Sequence, residues 1–78
     1  MTRYFLHLRD GSDEVLDPDG IEAGLDTIAG LALRCARDCI ARDAESGRID
    51  LRYRIDVHDE KDDIVHSLAF KDAVSIKQ

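Results

Sequence analysis

Tryptophan is absent from these 78 residues, proline occurs once, and Tyr4, Phe5, Tyr53 and Phe70 are the only aromatic side chains. No stretch approaches the roughly 18 apolar residues of a membrane span, so no membrane association is expected. The opening MTRYFLHLRD is not expected to be a signal peptide, because His7 and Arg9 interrupt the apolar run before a hydrophobic region forms. Cysteine is scarce too. Cys35 and Cys39 sit one helical turn apart in LALRCARDCIARD, where a helix directs the side chains poorly for a disulfide, and no further ligands accompany them as a closed zinc site requires. They read as small buried hydrophobes in a reducing compartment, and the chain is expected to be cytoplasmic.

Hydrophobic residues at 44% with charged residues at 36% and a net charge of −6 describe a folded globular domain rather than a disordered chain. One domain is expected over 1–78, with about 75–78 disordered. A chain this short buries only about 60% of its unfolded surface, and a second copy is a natural way to add buried area.

Alternation marks the strands. In RYFLHLR, Tyr4, Leu6 and Leu8 share one face and Arg3, Phe5, His7 and Arg9 the other. Asp10, Gly11, Ser12 and Asp13 supply a turn, and Glu14 to Asp17 can return as a short second strand ended by Pro18. In LRYRIDVH, Leu51, Tyr53, Ile55 and Val57 oppose Arg52, Arg54, Asp56 and His58. A fourth strand is predicted from Ile64 to about Lys71. A two-residue turn at Lys61-Asp62 then pairs Tyr53 with Phe70, Ile55 with Leu68 and Val57 with His66 on one face, and Arg54 with Ala69, Asp56 with Ser67 and His58 with Val65 on the other.

Between the second and third of these strands the period changes. Leu25, Ile28, Ala29, Ala32, Cys35, Ala36, Cys39 and Ile40 follow helical spacing. The helix is predicted over about 26–46, with Asp26 as N-cap and Gly47 as the C-terminal stop. The expected fold is α+β: a four-stranded antiparallel sheet in ββαββ chain order, with the helix packed on Tyr4, Leu6, Leu8, Tyr53, Ile55, Val57, Leu68 and Phe70. One helix covers one face, so the other is left open.

That open face is expected to be basic. Arg3, Arg9, Arg52, Arg54 and Lys71 stand against the single acid Asp56, a local balance of +4 on a chain that is −6 overall. With Phe5, His7 and His58, these cations form the candidate binding surface. Arginine and aromatic residues suit a protein contact, so the expected partner is a second copy, giving a homodimer, or an acidic protein. Single-stranded nucleic acid stacking on the same face is the alternative, opposed by the overall negative charge. The bland rival is a solvated surface in which arginine stems lie across the trough of Val65, Ser67 and Ala69.

Catalytic signatures are lacking. None of Ser12, Ser46, Ser67 and Ser75 is marked as a nucleophile, and the acidic clusters fall at predicted loop tips, where solvation keeps carboxylates ordinary. Asp17, Asp19, Gly20 and Asp26 have calcium-loop offsets, but Val15 holds the first ligand position and no helix precedes it. No enzymatic activity, cofactor or metal is expected. His7 and His58 are expected outward, and to meet if their strands are neighbours.

Tyr4-Phe5-Leu6-His7-Leu8-Arg9-Asp10-Gly11, Asp17-Pro18-Asp19-Gly20-Ile21-Glu22, an alanine- and arginine-rich helix, Ile55-Asp56-Val57-His58-Asp59-Glu60 and Phe70-Lys71-Asp72-Ala73-Val74 together resemble a bacterial family of short proteins classed as a domain of unknown function. The resemblance implies the fold and leaves activity open. A fainter likeness, to partner-binding antitoxins of the HicB type, rests only on an N-terminal hairpin leading into an acidic loop and a helix, and implies an antitoxin-type regulator as a further alternative.

Overall fold

The computed structural model describes residues 2–75 and Lys77; the expectation for the last few residues falls partly on Ile76 and Gln78, outside the described residues. The elements are β1 (Thr2–Arg9), β2 (Glu14–Val15), β3 (Ile21–Ala23), α1 (Ile28–Glu45), β4 (Arg54–His58), β5 (Ile64–Ala69) and the single-turn α2 (Phe70–Ala73). The class is α+β with an antiparallel open sheet, but of five strands rather than four, and the chain order is βββαββα. The sheet runs β2-β1-β4-β5. The additional strand, β3, pairs with the opening residues of β1, while β2 pairs with its end.

The missed strand follows from the turn at Asp17-Pro18-Asp19-Gly20. One Asp17 carboxylate oxygen accepts from the Asp19 and Gly20 backbone N–H groups, and Gly20 takes a positive φ of 68°. This turn sends Ile21–Ala23 back along β1. A side chain at Gly20 would stand 2.7 Å from the Tyr4 carbonyl oxygen, so the close approach of the two backbones requires glycine.

α1 carries a four-residue stripe, Ile28, Ala32, Ala36 and Ile40, into the core. Leu25, expected in that stripe, precedes the helix and is exposed, and Ala29 is exposed as well. Thr27, not Asp26, occupies the N-cap, and its hydroxyl donates back to the Gly24 carbonyl instead of capping the first turn. The C-terminus ends at Gly47, with φ 85°: Gly47 N–H bonds the Ala44 carbonyl and Arg48 N–H the Asp43 carbonyl, the paired closure of a Schellman motif. The fully buried Ala32 and Ala36 keep the helix close to β4, β5 and α2. The largest fully buried side chains are Ile55, Val57 and Phe70, whose burial stabilises by about 1.5–3 kcal/mol each. Because α1 lies over that half of the sheet, Leu6 and Leu8 on β1 are only partly buried beside it.

The β4–β5 ladder has Arg54 opposite Ala69, Ile55 opposite Leu68, Asp56 opposite Ser67 and Val57 opposite His66, as the matching of apolar with apolar residues requires. His58 pairs with Ile64 instead of Val65, because the register shifts by one residue at Val57/His58. A longer bend replaces the two-residue turn: the Asp59 N–H bonds the Asp63 carbonyl, the Asp59 carboxylate accepts from the Lys61 and Asp63 N–H groups, and Asp62 sits at φ 66°.

Candidate functional site

The sheet face away from α1 carries Phe5, His7 and Arg9 from β1 and Arg54, Asp56 and His58 from β4, as alternation dictates. Two of the expected cations are elsewhere. Arg52 lies in a turn before β4, where the Asp50 carboxylate takes its backbone N–H and both its Nε and Nη2 groups, closing a local loop that outcompetes strand extension. Those same bonds hold the Asp50 carboxyl down at about 2. Lys71 lies in α2, because the chain turns helical at Phe70. Arg3 remains at the β3 end, bonding the Asp19 carbonyl at 2.7 Å and Glu22 at 3.3 Å.

The remaining charges form a closed network. Arg9 and Arg54 are direct cross-strand partners, a like-charge pairing that is unfavourable by itself. Asp56, 2% exposed between them, accepts from Arg9 Nη1 at 3.1 Å, from Arg54 Nε at 3.1 Å and from Ser67 Oγ at 2.6 Å. Burial pushes the Asp56 carboxyl up, but the bonds from Ser67, Arg9 and Arg54 outweigh it and hold the group below the ordinary carboxylate range. Arg9 Nε also binds Glu14 of β2 at 2.7 Å. Ser67, read from sequence as part of a trough for arginine stems, thus contributes a hydrogen bond to the carboxylate that the arginines share. Beside the network an open cleft of about 540 Å³ is bounded by Arg9, Arg54, Asp56 and Ile64.

His7 and His58 do meet, because β1 and β4 are neighbours; their ring centroids are 4.8 Å apart at an interplanar angle of 61°. Both are buried, at 9% and 6% exposure, on a face expected to be open. His7 Nδ1 accepts the Asp17 backbone N–H at 3.1 Å, while Asp17 Oδ2 accepts from Leu6 N–H. His58 Nε2 faces Arg9 Nη1 at 3.0 Å; a guanidinium only donates, so Nε2 accepts and the ring proton sits on Nδ1, directed at Asp62 Oδ1 2.9 Å away. Burial, then the neighbouring His58 and Arg9, push the His7 ring below the ordinary imidazole value.

The ligand atoms of His7, His58 and Asp62 lie within 4.8 Å of one another, close enough to raise the question of a metal ion. The outer hydrogen bonds answer against one. A ligating imidazole turns its second nitrogen, as N–H, toward an acceptor, whereas here His7 presents its Nδ1 to an amide donor and His58 its Nε2 to a guanidinium donor. Both rings would have to exchange tautomers against those donors. The arrangement instead ties three elements together: Asp17 fixes the wrap of residues 10–20 around β1, and Asp62 fixes the β4–β5 bend.

Asp17, Asp62, Glu14 and Ser67 are the partners that sequence reasoning missed. Asp17 had a signal, its place at the head of a Pro-Asp-Gly turn. Asp62 had none beyond the acidic composition of its loop. The two cysteines are free and half-buried, and burial followed by the neighbouring Cys39 pushes the Cys35 thiol up to about 11.

No curated protein and no solved structure matches this chain. A family model described as a domain of unknown function (DUF6894) matches residues 3–71, from Arg3 in β1 to Lys71 in α2. That span takes in the sheet apart from Thr2, together with the charged network on its open side, and the chain belongs to the DUF6894 family.

Proposed function

We propose that this chain is a small, non-enzymatic interaction module that self-associates. The observation carrying the proposal is the contrast between the two edges of the sheet. On the β1 side the edge is blunted: β2 and β3 pair with its two ends, and Asp17 takes the Leu6 N–H between them. On the other side β5, Ile64-Val65-His66-Ser67-Leu68-Ala69, has no partner strand on its outer edge among the described residues. It contains no Lys, Asp, Glu, Arg or Pro, and Ile64 and Val65 are 57% and 37% exposed. Exposed edges of this kind are templates for pairing unless charge or proline blocks them.

The ionic face supports a structural role more than a charged docking role. Arg3, Arg9 and Arg54 each bond an acid of the same chain, and Asp56, the most buried of those acids, is fully engaged. We place the module in a reducing cytoplasmic compartment, where Cys35 and Cys39 remain thiols. Sedimentation velocity over micromolar to submillimolar concentrations tests the reading. The weight-average mass is expected to rise above the 8.8 kDa of one chain; an unchanging monomer throughout that range contradicts it.

A further inference from the structure

We infer that the partner is a second copy of this chain, added antiparallel along β5 about a two-fold axis at Ser67; this rests on the self-association reading and specifies its geometry. The backbone decides which groups are available. Phe70 N–H donates to the Tyr53 carbonyl. Inward and outward groups alternate along an antiparallel strand, so His66 and Leu68 turn their N–H and C=O toward β4, and Ser67 and Ala69 turn theirs outward. Centring the pair on Ser67 lets it exchange two backbone hydrogen bonds with the partner's Ser67, and brings Ala69 opposite the partner's Val65.

Side-chain parity agrees with this register. His66, on the helix side with Leu68, falls opposite the partner's Leu68, so helix-side residues meet helix-side residues and the open faces of the two sheets run together. Moving the register by one residue would pair opposite faces.

Charge distinguishes this register from the others that parity allows. β5 itself carries no Lys, Arg, Asp or Glu; Asp62 and Asp63 precede it, and Lys71 and Asp72 in the single turn α2 follow it. With Ser67 at the axis, Asp63 stands at the end of the interface where the partner's Lys71 stands, and the symmetry produces the contact twice. A displacement of two residues separates the charges and moves the outward pairs off the two-fold. Lys71, which is not on the open face, thus acquires a place at the edge. The register shift opposite His58 leaves residues 66–69 as the regular part of the strand, and the axis at Ser67 falls within it.

The test is a set of sedimentation equilibrium measurements on the intact chain. Ala69 already has φ −76° and ψ 141°, a conformation proline adopts. Ala69→Pro therefore removes an outward donor without removing a bond to β4, and is expected to weaken association at least about tenfold. Asp63→Lys and Lys71→Asp are each expected to weaken it about fivefold or more at low salt, and the double exchange to restore it. Circular dichroism on each variant confirms the fold, and the two charge positions, both exposed, do not depend on the proline variant folding. Association unaffected by all of these changes would overturn the β5 geometry while leaving self-association intact. Association lost in the single reversals and not recovered in the double exchange would overturn the register.

Discussion

Arg9 and Arg54 face each other across the β1–β4 ladder, and both donate to one carboxylate, that of Asp56, at 3.1 Å. The shared acid allows two guanidinium groups to occupy opposing positions on the same sheet face. Removing it in Asp56→Ala leaves two cations adjacent and Ser67 without its acceptor. Both arginines keep some access to water, so the expected loss is about 1–3 kcal/mol rather than that of a fully buried pair. Urea unfolding measures it, and a midpoint equal to that of wild type would show that the network contributes nothing.

The His7 ring gives stability a pH dependence of known sign. Its proton affinity in the folded chain is lowered, by burial and then by His58 and Arg9, with Asp17 and Asp62 opposing. In the unfolded chain it returns to about 6.5, so below that pH the unfolded state binds more protons. The contribution is present in full above about pH 6.5 and is lost as pH falls through the folded value. Thermal melts are expected to drop on acidification over that window. His7→Asn, which keeps an acceptor for the Asp17 N–H but does not titrate, is expected to flatten the drop.

Gly20 and Gly30 are expected to respond oppositely to alanine. At Gly20 the added methyl group meets the Tyr4 carbonyl and the alanine must hold φ 68°, costing at least about 2 kcal/mol between the left-handed penalty and the displaced backbone. At Gly30, inside α1, nothing lies within 4 Å of the added carbon, and alanine is expected to stabilise by about 0.5–1 kcal/mol. Paired denaturation curves decide both signs.

Cys35, with its thiol at about 11 through burial and the nearby Cys39, is almost wholly protonated at neutral pH. Alkylation of native protein at Cys35 is expected to be slow at pH 7.5 and to accelerate toward pH 10, since only the thiolate reacts. Rates matching those of a free thiol peptide at pH 7.5 would contradict the burial.

Period-two alternation made β1, β4 and β5 legible in the sequence, and parity placed four of the β4–β5 pairs in register. Period 3.6 placed α1 to within two residues at either end. What escaped was decided by local side-chain-to-backbone bonds that leave no periodic trace. The Asp50 carboxylate curls Arg52 out of the strand, Asp17 turns the chain so that Ile21–Ala23 becomes β3, and Asp59 builds the bend that leaves His58 opposite Ile64. The candidate face was half legible. Alternation identified Phe5, His7, Arg9, Arg54 and His58, but counting charges along strands could not show that Asp56, Glu14 and Glu22 already partner the arginines. Nor does composition reveal an edge; β5 stands out only once strand order in space is known.

Hydrogen exchange followed residue by residue as a function of protein concentration tests the β5 edge most directly. The amides of His66 and Leu68, bonded to β4, are expected to be protected at every concentration, while those of Ser67 and Ala69 exchange freely in dilute protein and become protected as concentration rises. Ser67 and Ala69 amides that stay equally exposed while the protein demonstrably associates would contradict pairing along this strand.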